Sequence, residues 1–189
     1  FRRDLRVEDN PSLNMLSKKV DKIIGIFIID VKQPTQNEMK NLHSLKFMYD
    51  ALYEFNKSVL FGKLCVFKGD VCKVIKRLCD KINIIAVSFN LDYSEYSLKR
   101  DALIIAMLDK LQIECVTYKY EMLLNDPKEY VKSDGKAYTV YGAYKKNVDN
   151  NRLDCRRPFK RVDVSKFIKI KSDVIPVRLS STFYTNRKY

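Results

Sequence analysis

At 189 residues, 46% hydrophobic and 31% charged, the chain has the make-up of one globular domain plus an extension, long enough to bury a core. Only five glycines and five prolines are present, which excludes collagen-like and low-complexity architectures; no apolar run approaches bilayer length and no secretory pattern opens the chain, so no membrane partner is expected. The net charge of +13 is uneven, with 20 basic and 17 acidic side chains in residues 1–127 against 16 and 6 in residues 128–189, so DNA is the natural polyanion for the last third, a lysine-rich solvated surface being the alternative.

In chain order, Phe1 stands where a strand closes, and since it is not Met the numbered sequence is expected to be a fragment. Arg2-Arg3-Asp4-Leu5-Arg6 follows, then Asp9-Asn10-Pro11, with Asn10 a helix N-cap and Pro11 the first helical residue. Ile23 to Val31 is a nearly continuous β-branched run, the pattern of a strand covered on both faces. Leu42, Leu45, Met48, Tyr49, Leu52 and Phe55 recur at helical spacing. Leu64 to Phe67 reads as a short strand ending at Gly69-Asp70. Asp70 would cap a helix striped by Val71, Val74, Ile75, Leu78, Cys79 and Ile82. Ile84 to Phe89 is a buried-type strand; Ser94 to Leu111 is a helix lined by Leu98, Ala102, Ile105, Ala106 and Leu108; Glu114 to Tyr118 is a last strand.

This alternation, with right-handed crossovers, predicts an α/β fold: a Rossmann-like, doubly wound, parallel five-stranded sheet with helices on both faces. Ligands in such sheets bind beyond the carboxyl ends of the strands, where strand order reverses. The ends to watch are Arg2-Arg3-Asp4, Ile29-Asp30-Val31, Lys68-Gly69-Asp70 and Phe89-Asn90-Leu91-Asp92. No GxGxxG fingerprint is present. Arginines at the first of these ends can hold an anionic or ring-shaped ligand, or pair with Asp4, Glu8 and Asp9 as a structural network; spacing alone favours the network.

After about residue 119 the pattern fades, through turns at Asn125-Asp126-Pro127 and Ser133-Asp134-Gly135 and a short helix within Tyr138 to Val148. The expected organisation is an α/β domain over 1–127 and a basic connector over 128–189 leading to a partner domain. Cys65, Cys72, Cys79, Cys115 and Cys155 form no CxxC pair, and His43 is the only histidine. Buried reduced thiols are expected, in a reducing intracellular compartment, cytoplasm or nucleus, with no metal site and no triad.

Three ordered segments carry a family resemblance. FRRDLRVEDNPSL, from Phe1, resembles the opening motif of photolyases and cryptochromes. FNLDYSEYSLKRD, Phe89 to Asp101, is similar to that family's Asn-x-Asp segment after strand four. Ser133-Asp134-Gly135-Lys136-Ala137-Tyr138-Thr139-Val140-Tyr141 resembles the stretch before its interdomain connector.

The resemblance implies a light-harvesting amino-terminal domain of a flavin-dependent DNA photolyase, in a truncated or split form. Its partners would be DNA and a helical flavin-binding domain, in cis or on a separate chain. FAD, the lesion cleft and the relay tryptophans belong to that domain; this chain has no tryptophan, so the segment alone is not expected to be catalytic. An antenna chromophore at the sheet edge would use Arg3, the Phe27 to Asp30 strand end and Asp92, with Phe27 or Phe47 walling the ring. Capping by Asp92 and core packing of the aromatics are the alternatives. Folate-using members carry Asn-Glu where Tyr96-Ser97 stand here, so a deazaflavin is expected instead of a folate. Ser94-Glu95 and Gly142-Ala143-Tyr144 also depart from the family pattern.

Arg156, Arg157, Lys160 and Arg161 would lie near the interdomain surface or nucleic acid. A cryptochrome photoreceptor has the same amino-terminal domain. The rival of another class is a cofactor-free basic α/β module binding nucleic acid through residues 128–189, its bases stacking on Tyr138, Tyr141, Tyr144, Phe159 and Phe167.

Overall fold

The computed structural model describes residues 1–32, 42–119, 130–150 and 158–174. Helix α1, Pro11–Ser17, starts as the capping pattern requires. The Asn10 side chain accepts from Leu13 N at 3.4 Å, and Pro11 occupies the first turn, where its missing N–H costs nothing. Strand β1 is Ile26–Asp30, and α2 is Leu42–Glu54, continued by a π-helical turn at Phe55–Val59. Strand β2, Cys65–Gly69, leads to α3, Val71–Lys81, capped by Asp70 through Lys73 N at 2.9 Å. Strand β3 is Ala86–Asn90, α4 is Glu95–Lys110, β4 is Glu114–Tyr118 and α5 is Tyr141–Asn150.

The four described strands pair in parallel. Strand β1 pairs with β2 in the register Ile26 to Cys65, and β3 with β4 in the register Ala86 to Glu114. Side chains alternate across these strands and reach helices on both faces. On one face Phe27, Val66 and Val116 join Leu13 and Leu16 of α1 and Leu52 of α2. On the other, Cys65 and Phe67 meet Val74 and Leu78 of α3, while Val87, Phe89 and Cys115 pack on Ile75, Ile104 and Leu108. Cys65, Cys72, Cys79 and Cys115 are free thiols; Cys155 lies outside the described residues. No described helix is long and apolar enough to cross a membrane.

Three expectations need correction. The five-stranded sheet is not what the described residues form: they make four strands in two separate parallel pairs, β1–β2 and β3–β4. Phe1, expected to close a first strand, contributes one bond, from its amino group to Ile26 O at 2.9 Å. A cleft of about 570 Å³ runs between the facing edges of β1 and β3, so the two pairs share no ladder. For the same reason β1 is not covered along its length, and only Phe27 within it is fully buried.

The inner face of α4 also differs. Ser97, Asp101, Ile104 and Leu108 point inward, leaving Leu98 57% exposed and Ala102, Ile105 and Ala106 on the outer surface. Two polar ties set this rotation: Asp101 is held by Arg2 at 2.8 Å, and Ser97 Oγ donates to Asp92 at 3.1 Å. The apolar periodicity of the helix supports either face; the buried ion pair selects one.

The third concerns residues 158–174, whose pattern shows no sustained period. They return to the core. Val162 N donates to Val7 O at 2.8 Å, Ile23 N to Lys166 O at 2.9 Å and Val174 N to Val66 O at 3.0 Å. Val162 and Phe167 are buried, and the Phe167 ring stacks on Phe1 with centroids 6.4 Å apart. Gly25 permits this approach, since a Cβ there would meet the Phe167 ring at 3.1 Å. The boundary expected at residue 127 lies outside the described residues.

Candidate functional site

The segment that leaves Phe1 crosses the carboxyl-end rim and is fixed there by one polar network. Its hub is Asn90, the last residue of β3, which is 5% exposed. The Asn90 side-chain amide donates to Asp4 Oδ2 at 2.6 Å and to Asn10 Oδ1 at 2.8 Å, and its Oδ1 accepts from Ser12 N at 3.1 Å. Burial works to raise the Asp4 pKa, yet the Phe1 ammonium, the Arg2 N–H and the Asn90 amide together hold it below the usual carboxylate range. Arg2 pairs with both oxygens of Asp101 and donates to Asn90 O, its guanidinium lying 5.3 Å from the Phe89 ring centroid. Arg6 donates to Asp9 O, and Asp9 takes a positive φ of 47° while accepting from Phe159 N. Of the arginine pairings expected with Asp4, Glu8 and Asp9, the structure shows that of Arg6 with Asp9; the Arg2 side chain pairs with Asp101 instead, and Asp4 is held by the Arg2 backbone N–H and Asn90.

Arg3 is different. Its side chain is 55% exposed and its Nε sits 3.6 Å from Asp92 Oδ2. Asp92 caps the turn into α4, accepting from Tyr93 N at 2.7 Å, Ser94 N at 3.3 Å and Ser97 Oγ at 3.1 Å. Burial pushes the Asp92 pKa up, but those backbone donors and the Arg3 charge outweigh it and leave it lowered. The adjacent residue, Tyr96, donates its hydroxyl to Asp30 Oδ2 at the end of β1, and Arg100 lies 5.6 Å from the Tyr96 ring centroid. Tyr96 and Ser97 thus draw Asp30 and Asp92 to the same end of α4, with Arg3 alongside. Burial, then the hydrogen bond and charge of Asp30, raise the Tyr96 pKa well above the ordinary phenol range. Farther along the rim, Lys32 pairs with Asp70 at 2.6 Å.

Other expected site residues fall elsewhere. Phe27 is packed in the core at 8% exposure, and Phe47 is 77% exposed on α2. Lys160 and Arg161 are exposed on the returning segment; Arg156 and Arg157 lie outside the described residues. Phe167 is buried and Phe159 packs edge-on against Tyr118, so neither is a free stacking platform. Tyr130, Tyr138 and Tyr144 cluster instead, with centroids 6.2 to 6.3 Å apart along the cluster. Sequence reasoning did not single out Asn90 as a hub, Tyr96 as the Asp30 partner or Asp101 as the Arg2 partner. Asn90 lay inside the quoted Asn-x-Asp motif, and a polar residue ending an otherwise apolar strand was the available signal.

A family model described as DNA photolyase matches residues 1–163. The chain belongs to the DNA photolyase family. Among relatives, it is 28% identical over 148 residues to a deoxyribodipyrimidine photo-lyase of a Synechococcus strain, covering 77% of this chain and 30% of that protein. To cryptochrome-1 of Aedes aegypti it is 27% identical over 143 residues, covering 71% and 26%. Among solved structures, it resembles an archaeal photolyase from Sulfolobus tokodaii containing two FAD molecules, with a TM-score of 0.69 and 29% identity over 93% of this chain and 42% of that one. The cryptochrome of Synechocystis shares the fold at a TM-score of 0.74 and 18% identity, over 100% of this chain and 40% of that one. This DNA photolyase family chain thus spans well under half the length of these relatives.

Proposed function

We propose that this chain is the light-harvesting amino-terminal domain of a flavin-dependent DNA photolyase, with an antenna chromophore of the deazaflavin type seated at the carboxyl-end rim. The observation that carries this reading is the convergence of Arg3, Asp30 and Asp92 around Tyr96-Ser97 in a chain of this family. The donor set suits a polar ring with hydroxyls. Asp92 and Asp30 accept hydrogen bonds, and Arg3, half-exposed, offers a flat guanidinium for stacking or for an anionic edge. Such a chromophore would supply absorption and energy transfer; the chain's own residues bind and orient it. A related photolyase contains two FAD molecules and is described as implying a novel light-harvesting cofactor, so a flavin is a second candidate for the same rim.

On this reading the FAD that acts on DNA, and the lesion contacts, belong to a helical partner domain, in cis or on another chain. Lys160 and Arg161, with Arg156 and Arg157, would face that domain or DNA. The test is a fluorescence titration of the purified chain with 8-hydroxy-5-deazariboflavin, FAD and methenyltetrahydrofolate in turn. Saturable deazaflavin binding, weakened at least tenfold by Asp92→Ala, is the expected result. Absence of binding by all three overturns the antenna reading. A cryptochrome shares this domain; repair of a pyrimidine dimer by the assembled protein separates the two.

One observation favours a second reading. Tyr130, Tyr138 and Tyr144 sit together, Lys132, Lys136, Lys145 and Lys146 are their neighbours in sequence, and Tyr141 is 75% exposed. Aromatic faces among lysines suit single-stranded nucleic acid. A colourless protein with steeply salt-dependent oligonucleotide affinity, lost in Tyr138→Ala/Tyr144→Ala, would support this cofactor-free module.

A further inference from the structure

The donors that serve the two rim carboxylates differ in whether they can leave. Asp92 is held by groups that cannot move alone: Tyr93 N at 2.7 Å, Ser94 N at 3.3 Å and Ser97 Oγ at 3.1 Å. Ser97 is buried and itself accepts from Ser94 Oγ at 2.8 Å, while the half-exposed Arg3 stands off at 3.6 Å. Asp30 divides its oxygens. Its Oδ1 accepts from Lys32 N at 2.9 Å, a backbone bond that shapes the turn after β1, and its Oδ2 accepts from the Tyr96 hydroxyl. Farther out, Asp70 is taken by Lys73 N at 2.9 Å and by Lys32 Nζ at 2.6 Å.

Tyr96 is the exception among the donors to Asp30 and Asp92. It is half-buried, and its ring turns about two side-chain torsions with no change in the backbone. Its backbone belongs to the first turn of α4, beside the Asp92 turn, whereas its hydroxyl reaches the end of β1. The ring therefore bridges the interval between Asp92 and Asp30, where a flat ligand has to lie. Arg100, one helical turn on, sits 5.6 Å from the ring centroid and is fixed by bonds of 3.1 and 3.0 Å to Asp101. That gives the ring a stationary surface on which to turn. Burial first, then the bond and charge of Asp30 and the charge of Asp70, hold the proton on the phenol, so at neutral pH it stays a donor and Asp30 stays capped.

We propose that Tyr96 is the gate of the rim. Its hydroxyl occupies the Asp30 acceptor across the crevice, and a chromophore is seated when the phenol turns aside on Arg100 and a ligand hydroxyl or N–H takes its place on Asp30. The gate rests on the chromophore reading and adds the regulation of that same site. On this account the phenol competes with the ligand and does not contact it. The chain then binds with an affinity reduced by the fraction of molecules in which the gate stands open. A hydrogen bond to a charged acceptor at a partly exposed position keeps that fraction near about one in ten.

The experiment titrates the full chain and its Tyr96→Phe variant with 8-hydroxy-5-deazariboflavin, reading affinity by fluorescence and rates by stopped flow. The variant is expected to bind at least fivefold more tightly. The gain should lie in the association rate, because the bond to Asp30 breaks before the ligand is seated. In the unaltered chain labelled with carbon-13 at tyrosine Cζ, the Tyr96 resonance should move upfield at saturation, toward that of a phenol released from a carboxylate. Binding by the variant alone supports the gate in a stronger form. Equal or weaker binding by a variant that is folded by circular dichroism overturns the gate and leaves the antenna reading standing, with Tyr96 a wall of the seat. A gain confined to the dissociation rate overturns it too. Where the variant does not fold, the carbon signal decides: a Tyr96 resonance unmoved or shifted downfield at saturation is the contrary result. If neither form binds the deazaflavin, FAD or methenyltetrahydrofolate, the seat itself is refuted and the gate falls with it.

Discussion

Tyr96 in the first turn of α4 donates its hydroxyl hydrogen to Asp30 at the end of β1, which links the β3–β4 half of the domain to the β1–β2 half at the rim. The two pairs share no ladder, so side-chain ties of this kind fix how the halves meet above the cleft. Tyr96→Phe removes the tie and leaves the ring. The expected cost is about 1–2 kcal/mol in a urea unfolding curve, the worth of a hydrogen bond to a charged acceptor reduced for partial exposure. An unchanged midpoint would mean that the halves are aligned by other contacts.

The same phenol sets an alkaline signature. Burial first, then the bond and charge of Asp30, raise its pKa, so in the folded chain it keeps its proton where an unfolded tyrosine loses it. A raised phenol contributes stability that is fully present below the unfolded value of about 10 and is lost as pH climbs toward the folded value. Phenolate absorbance at 295 nm should show one tyrosine titrating late, and Tyr96→Phe should remove that step.

At low pH the sign reverses. Burial would raise the Asp4 and Asp92 carboxyls, but their donors and neighbouring cations win and both are lowered. Such groups stabilise the fold above the unfolded value of about 3.9, and that contribution disappears as pH falls through the folded values. Unfolding midpoints should therefore fall below about pH 4. Asp4→Asn should flatten that limb and cost about 2–3 kcal/mol at neutral pH, because its partner Asn90 is buried.

Phe167 fills the space over Gly25 and Phe1 from a segment distant in sequence. Phe167→Ala should cost about 3–4 kcal/mol, the usual range for emptying an aromatic site in a core. Gly25→Ala should cost about 1–2 kcal/mol, since the new methyl lies 3.1 Å from the Phe167 ring and the ring must yield. If Phe167→Ala leaves the denaturation midpoint in place, residues 158–174 are not part of the folded unit.

Local rules were legible from the sequence. Asn10-Pro11 and Asp70 cap α1 and α3 as their residue types demand, and Val74, Ile75 and Leu78 bury the stripe their spacing describes. Strand β4 falls on Glu114–Tyr118 as read. Long-range choices were not legible. The rotation of α4 depends on Arg2 finding Asp101 across 99 positions of chain, which no local period encodes. Phe167 resembles any aromatic among lysines until Ile23 pairs with Lys166 and Ile168 and draws it inward. At the rim, Arg3, Asp30 and Asp92 were readable as strand-end residues. Tyr96, the group that brings Asp30 in, shows in the sequence only as a departure from the folate pattern, because its partner is 66 positions away.

Nitrogen-15 NMR of the labelled chain during addition of 8-hydroxy-5-deazariboflavin tests the rim most directly. Binding at the crevice should shift the amides of Arg3, Asp30 to Lys32 and Asp92 to Ser97 together, with one saturation curve, and leave Tyr130 to Asn150 in place. Shifts confined to the tyrosine cluster and α5, or none at saturating chromophore, would contradict a chromophore seat between Arg3, Asp30 and Asp92.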